Sequence, residues 1–229
     1  LIAVFASVTK AANGELLGGW EGDTRQQGYG FIGIGTSAKL KNSTAFVSRL
    51  TTSYLYYNFD HDDSTTKVLS PGVSLMAGFS HTVRDFTVNI LAGPELRWND
   101  EQTRRKNSFV TISRDQRVAS GVIQGYLNAP LANRTWVTVL ANYNGANRYA
   151  FSRLSLERRL GVNMTAVGLE ATAQGNEDIK SMQLGAFVGI PRVVGQVSFR
   201  VSGGIKNFWN AENTHKSAGV AGLGFYTRF

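Results

Sequence analysis

The sequence of 229 residues contains no cysteine. Disulfide frameworks, thiolate zinc sites and cysteine nucleophiles are therefore all excluded, and the composition suits a bacterial envelope protein, where stray thiols are oxidised. Proline is scarce, with four residues in all, and no Pro- or Ser-rich stretch marks a linker between domains. Charged residues make up only 17% of the chain. No apolar run reaches the roughly 18 residues of a membrane-spanning helix; the opening stretch Leu1 to Val8 is interrupted at Ser7. A barrel strand, by contrast, needs only about 9–11 residues with every second one apolar. Such a protein keeps its mean hydropathy near zero, as here at −0.15.

What is abundant is glycine, with 25 residues, and apolar residues at 42%, enough to exclude a disordered chain. The apolar residues recur at period two. Phe86, Val88, Ile90, Ala92, Pro94, Leu96 and Trp98 alternate with Thr87, Asn89, Gly93, Glu95 and Arg97, which predicts one long strand with a greasy face and a polar face. The same pattern holds over 73–79, 182–190 and 196–205. Weaker alternation covers 15–22, 28–40, 44–59, 108–128, 135–143, 148–159, 162–174 and 216–229. Twelve strands result, separated by turn clusters such as Asp-His-Asp-Asp-Ser at 60–64, Asn-Gly at 144–145 and Gly-Asn-Glu-Asp at 175–178.

Connection lengths alternate as well. Segments 23–27, 60–66, 99–107, 144–147, 175–179 and 207–215 are longer on average than 41–43, 82–84, 129–134, 160–161 and 191–193. Long outward loops and short inward turns are the rhythm of an outer-membrane barrel. The expected fold is an all-β, antiparallel, up-and-down transmembrane β-barrel of about twelve strands over 15–229. Residues 1–14 stand apart, either as the end of a signal peptide or as a periplasmic or lumen segment. The last strand places Leu223, Phe225 and Phe229 on one face, similar to the signal read by the barrel-assembly machinery. The competing fold is a soluble closed barrel of lipocalin type.

The polar face decides between the two. It carries Glu21, Arg49, Glu95, Arg97, Gln124, Arg153, Glu157, Glu170, Gln183, Arg200 and Arg228, charges of both signs in mid-strand. Lysine, expected on a solvated exterior, falls instead at predicted loops and strand ends: Lys39, Lys41, Lys67, Lys106, Lys180, Lys206 and Lys216. Planar Arg forks facing carboxylates predict a paired network lining a lumen, with Arg49, Glu95, Arg97, Arg153, Glu157, Glu170, Arg200 and Arg228 as its members. Glycines in strands leave room for Arg and aromatic neighbours. Trp20, Trp98, Tyr54, Tyr56 and Phe225 suit girdles at the two membrane interfaces.

Sites for chemistry are sparse. His61, His81 and His215 fall on separate turns, with His81 on the periplasmic side far from the other two, so no site shared by the three is expected. Asp60, Asp62 and Asp63 could ligate calcium, but they read more simply as an exposed loop. Gly33 and Gly35 lie inside a strand, so no phosphate-cradling loop and no cofactor motif is present. Outer-loop basics, Arg104, Arg105, Lys106 and Lys216 among them, are placed to face lipopolysaccharide phosphates, which accounts for the net charge of +8 without nucleic acid.

Several short motifs carry a resemblance. These are Gly-Gly-Trp-Glu-Gly-Asp at 18–23, Tyr29-Gly-Phe-Ile-Gly33, Leu91-Ala-Gly-Pro-Glu95, the run Asn142 to Tyr149 leading into Phe151-Ser-Arg153, Val167-Gly-Leu-Glu170, Gly175-Asn176 and Leu184-Gly-Ala-Phe-Val188. Together they resemble the cellulose biosynthesis protein BcsS family over 15–229. The resemblance implies an outer-membrane protein acting beside a bacterial cellulose synthase, and it carries no catalytic residues. Our expectation is a non-enzymatic barrel of the bacterial outer membrane, an accessory scaffold, anchor or export component of an exopolysaccharide system, in contact with its secretion components. Export would use lumen aromatics, with Phe31, Tyr57, Tyr126, Phe151, Phe187 and Tyr226 as candidates. The alternatives are a small-solute, porin-like channel with arginines selecting anions, and a lipid-modifying enzyme using His61 and His215.

Overall fold

Why these residues form strands follows from what each face meets: hydrocarbon on one side and a polar bore on the other demand a change of character at every step. The computed structural model describes residues 12–229 except 42, 62, 106–110, 147, 162–163, 177–178 and 211–214. Twelve antiparallel strands run as β1 (Ala12–Asp23), β2 (Gly28–Lys41), β3 (Thr44–His61), β4 (Ser64–Val83), β5 (Phe86–Arg105) and β6 (Thr111–Ala132), then β7 (Thr135–Asn144), β8 (Tyr149–Leu160), β9 (Thr165–Gly175), β10 (Ile179–Val194), β11 (Val197–Asn210) and β12 (His215–Arg228). Each pairs with its sequence neighbours, and β12 returns to β1 to close the barrel. The seam is finished by a reciprocal backbone pair, Gly14 N to Phe229 O at 2.8 Å and Phe229 N to Gly14 O at 3.0 Å. Ala12, Asn13 and Gly14 thus belong to the barrel, which begins three residues earlier than the alternation predicted; residues 1–11 lie outside the described residues.

Polarity is inside out. Leu184, Ile205 and Ile90 point outward at 69%, 63% and 57% exposure, while their strand neighbours Gln183, Lys206 and Leu91 are at 3%, 7% and 2%. A soluble barrel of lipocalin type is excluded by that arrangement. Outward aromatics form two belts: Trp20, Tyr54 and Tyr143 toward the outer strand ends, and Phe79, Phe86 and Phe199 toward the inner ends. Glycines serve both faces. Phe225 lies flat over Gly18 on the lipid side, and in the bore Phe187 covers Gly168, where an added Cβ would fall 2.6 Å from the ring.

The walls differ in height. The strands β3 to β6 have 18, 20, 20 and 22 residues, whereas β7, β8 and β9 have 10, 12 and 11. At about 3.3 Å per residue and about 40° of tilt, a 10-residue strand rises roughly 25 Å, enough to cross the apolar band and no more. By the same measure β6 rises about 55 Å. Segment 99–105, predicted as a loop, is the upper part of β5, register-paired with β6 up to Arg104↔Thr111. β7 pairs with β6 only over 122–132 and Gly145 N bonds Gly121 O, so among the described residues β6 above Gly121 has no strand on its second side.

Candidate functional site

The bore is where the charged side chains converge. In the tall wall, Arg97 donates from Nη2 to Glu95 Oε1 at 2.7 Å and to Ser53 Oγ at 3.1 Å, and from Nη1 to the Ser70 carbonyl at 2.9 Å. Gly72 gives the guanidinium its path, since a Cβ there would sit 3.1 Å from it. One level toward the periplasm the same wall turns apolar, with Val47, Met76, Leu91 and Val122 packed side by side on β3 to β6.

Arg49 reaches away from that wall. It donates to Glu15 Oε1 at 2.7 Å and to Gln124 Oε1 at 2.8 Å, tying β3 to β1 and β6. Glu15 in turn passes over Gly35, where any side chain would displace it, and accepts from Tyr226 at 3.4 Å. Opposite, Glu170 accepts from Arg200 and lies 3.7 Å from Arg153 Nε, while Arg159 pairs with Glu157 at 3.0 Å. The guanidinium of Arg200 stacks on Phe187 and that of Arg159 on Trp136, at 3.5 and 3.9 Å from the ring centres. Near the outer mouth, Lys206 donates to Asp23 Oδ2 at 3.3 Å.

One pair sets the shape of the bore. Twelve strands about 4.8 Å apart and tilted about 40° would enclose a circle roughly 24 Å across, backbone to backbone. An arginine and a glutamate cannot bridge that span. Yet Arg153 of β8 donates to Glu21 of β1 at 3.2 Å, although these strands are five steps apart round the barrel. The section is therefore flattened, and the bore is barred where the two walls meet. Below the bar a polar cavity of about 320 Å³ opens toward the periplasm, lined by Tyr126, Asn128, Glu157, Arg159 and Arg200 with Arg153 as its roof. A larger recess of about 380 Å³ beside Phe79 and Ile90 is apolar and faces lipid.

All eight residues predicted for the lumen network have lumen positions. Seven are joined to one another or to near neighbours; Arg228 sits at the periplasmic mouth, bonded to the hydroxyl of Tyr226. The predicted lumen aromatics Phe31, Tyr57, Tyr126, Phe151, Phe187 and Tyr226 share the lumen face of their strands. Four members of the network, Glu15, Asp23, Arg159 and Lys206, were not predicted. Lys206 was assigned to a strand end beside a loop, whereas β11 continues to Asn210 and holds it in the bore. Asp23 reads as a turn residue, and it is one, accepting from the Arg25 and Gln27 backbone N–H groups while its second oxygen holds Lys206.

The outward predictions divide. Leu223, Phe225 and Phe229 all face lipid, with Leu223 and Phe229 exposed. Arg104 and Arg105 are exposed at the top of β5. Lys216 corrects its prediction: it shares the side of Ala218 and Val220, which is the lumen side, because strand alternation and not loop position fixes its direction. Lys106 lies outside the described residues. His81 bonds Thr44 Oγ1 at 2.9 Å at the periplasmic end; the side chains of Asp60, His61 and His215, and Asp62 altogether, lie outside the described residues.

Comparison with known proteins agrees with this geometry. The fold is similar to the β domain of the Bordetella autotransporter BrkA, at 11% identity and a TM-score of 0.51 over 95% of this chain and 98% of that one. A weaker likeness, with a TM-score of 0.43 and 14% identity over 100% of this chain and 93% of that one, is found to the translocator domain of the autotransporter NalP from Neisseria meningitidis. No curated protein sequence matches. With lipid-facing strands closed into such a barrel, the protein resides in the bacterial outer membrane. The family model for cellulose biosynthesis protein BcsS matches residues 3–229, so the chain belongs to that family, as an outer-membrane component of a cellulose system.

Proposed function

We propose that the protein is a closed, non-enzymatic scaffold or anchor at the outer membrane of the cellulose system, and that it does not serve as a free conduit. The observation that supports this most is the Arg153–Glu21 bar across a flattened bore, reinforced by Arg49 held between Glu15 and Gln124. Between its two mouths the bore pairs Arg49, Arg97, Arg153 and Arg200 with carboxylates, which leaves little excess charge at the constriction for an anion-selective channel. In this reading Leu223, Phe225 and Phe229 present the assembly signal, and Arg104 meets lipopolysaccharide phosphates.

Two measurements test it. Purified protein in planar bilayers gives no steady single-channel current, and deletion of the gene lowers cellulose output. A stable open conductance would overturn the closed reading in favour of a channel. A second reading, an export conduit that opens, draws on the row of lumen aromatics; it requires the bar to part, and current or oligosaccharide flux appearing only in Arg153→Gln would favour it.

A further inference from the structure

The net charge of +8 is distributed very unevenly along the barrel axis. On the outer side the two signs nearly cancel: on the tall wall Arg104, Arg105, Arg114 and Arg117 are interleaved with Asp100, Glu101 and Asp115. In the bore Arg49, Arg97, Arg153, Arg200 and Lys206 are each within reach of a carboxylate. The periplasmic rim has no such balance. Lys39 and Lys41 flank the first inner turn, Arg84 occupies the second and Arg134 the third; Arg158 and Arg159 end β8, Arg192 lies near the end of β10, and Arg228 ends β12. Against these eight basic residues stand Asp85, Glu157 and, in register with Arg228, Glu15, which is already paired with Arg49. The excess positive charge, which the sequence reading placed at outer loops, is therefore concentrated at the opposite mouth.

Backbone geometry adds a second observation. Arg84, Arg134 and Arg192 adopt φ of 54°, 59° and 54°, the left-handed region that glycine or asparagine fills at least cost; on the outer side a single arginine, Arg148 at 48°, does so among the described residues. All three are exposed, and among the described residues they and Arg158 make no ion pair. These long cationic side chains are exposed on the periplasmic side of the barrel with their charge uncompensated by any ion pair among the described residues.

Direction separates two kinds of anionic partner. Inner-leaflet lipid headgroups would call for basic residues on the lipid face, where Arg158 stands between the exposed Leu156 and Leu160 and Arg192 follows the outward Ile190 at the β10–β11 register shift. Lys39, Arg159 and Arg228 share the lumen side of their strands, while Arg84 and Arg134 crown turns. The field thus converges on the axis just outside the mouth. A ring of like charge steers and orients an oppositely charged macromolecule, with strong dependence on ionic strength.

We infer that the periplasmic mouth is a docking surface for an acidic periplasmic polypeptide seated coaxially with the barrel; this rests on the scaffold reading and names the partner such a scaffold holds. The test uses the full chain in nanodiscs of zwitterionic lipid, with a poly-L-glutamate peptide as probe. Binding weakens at least about tenfold between low and physiological salt. The triple variant Arg84→Glu, Arg134→Glu, Arg192→Glu loses about tenfold or more, whereas Arg104→Glu, Arg105→Glu, Arg117→Glu on the outer side stays within about twofold. Equal losses in the two triples, or none in the first, overturn the proposal. Heat-modifiable gel migration confirms folding, and the corresponding Arg→Gln triple replaces any reversal that fails to assemble.

In cells, a photocrosslinker at position 134 captures a polypeptide whose contact segment is acidic; capture of phospholipid alone, or of a basic segment, overturns the inference. The cellulose assay keeps the two readings distinct. If gene deletion lowers cellulose and the rim reversal does not, docking fails and the scaffold stands. If deletion changes nothing, the scaffold reading fails, and binding and crosslinking decide the rim by themselves.

Discussion

The tall wall, β3 to β6, and the short wall, β7 to β9, cross the same membrane by different means. The short wall is barely long enough for the apolar band, and its inner face carries the charged cluster Arg153, Glu157, Arg159 and Glu170, with Arg200 leaning in from β11 and Trp136, Leu140 and Phe151 beside them. Inside the membrane the tall wall packs Val47, Met76, Leu91 and Val122 against each other, and it confines its polar knot around Arg97 to the level above. A wall held by ion pairs is intolerant of losing one partner, because the other charge stays buried. A wall held by packing responds in proportion to the volume removed. The part of the tall wall that stands beyond the membrane should contribute little to either.

These differences can be broken one at a time. Glu170→Ala, which strands Arg200 and leaves Arg153 with one partner, has the largest expected effect: destabilisation of about 3–5 kcal/mol in urea unfolding from lipid vesicles. Leu91→Ala should follow at about 2–3 kcal/mol by the same measurement, with no change in salt dependence, since it leaves only a cavity. Gly35→Ala pushes Glu15 off Arg49; the expected cost is about 1–2 kcal/mol, and Glu15→Gln in the same background should add little if displacement is the cause. Excision of Gln102–Ser113, joining the register partners Glu101 and Arg114 through an Asn-Gly turn, should shift stability by less than about 1 kcal/mol. A loss there as large as that of Leu91→Ala would show that the projecting sheet supports the barrel, and would erase the contrast between its two parts.

The membrane-spanning fold was legible because lipid and bore impose opposite chemistry on adjacent residues, so Phe86 to Trp98 could hardly be read otherwise. Beyond the membrane that constraint lapses. Residues 99–105 carry polar side chains on both faces, look like a loop in sequence, and are nevertheless a strand held by β6. The members of the bore network were mostly readable from parity, but their pairings were not. That Arg153 finds Glu21 depends on the flattening of the whole barrel, which no local pattern encodes. Lys206 and Asp23 were missed because each looks like turn chemistry, and the turn lies one strand end further on than the polar residues suggest.

The bare side of β6 also governs how copies of this protein can meet. Residents of one bilayer all stand the same way up, related by rotation about its normal, so two such margins can never lie head to tail beside each other as antiparallel pairing demands. Orientation thereby protects an otherwise adhesive border for as long as the protein stays embedded. Solubilised molecules tumble and lose that protection, and concentration-dependent self-association in detergent should begin along this one border.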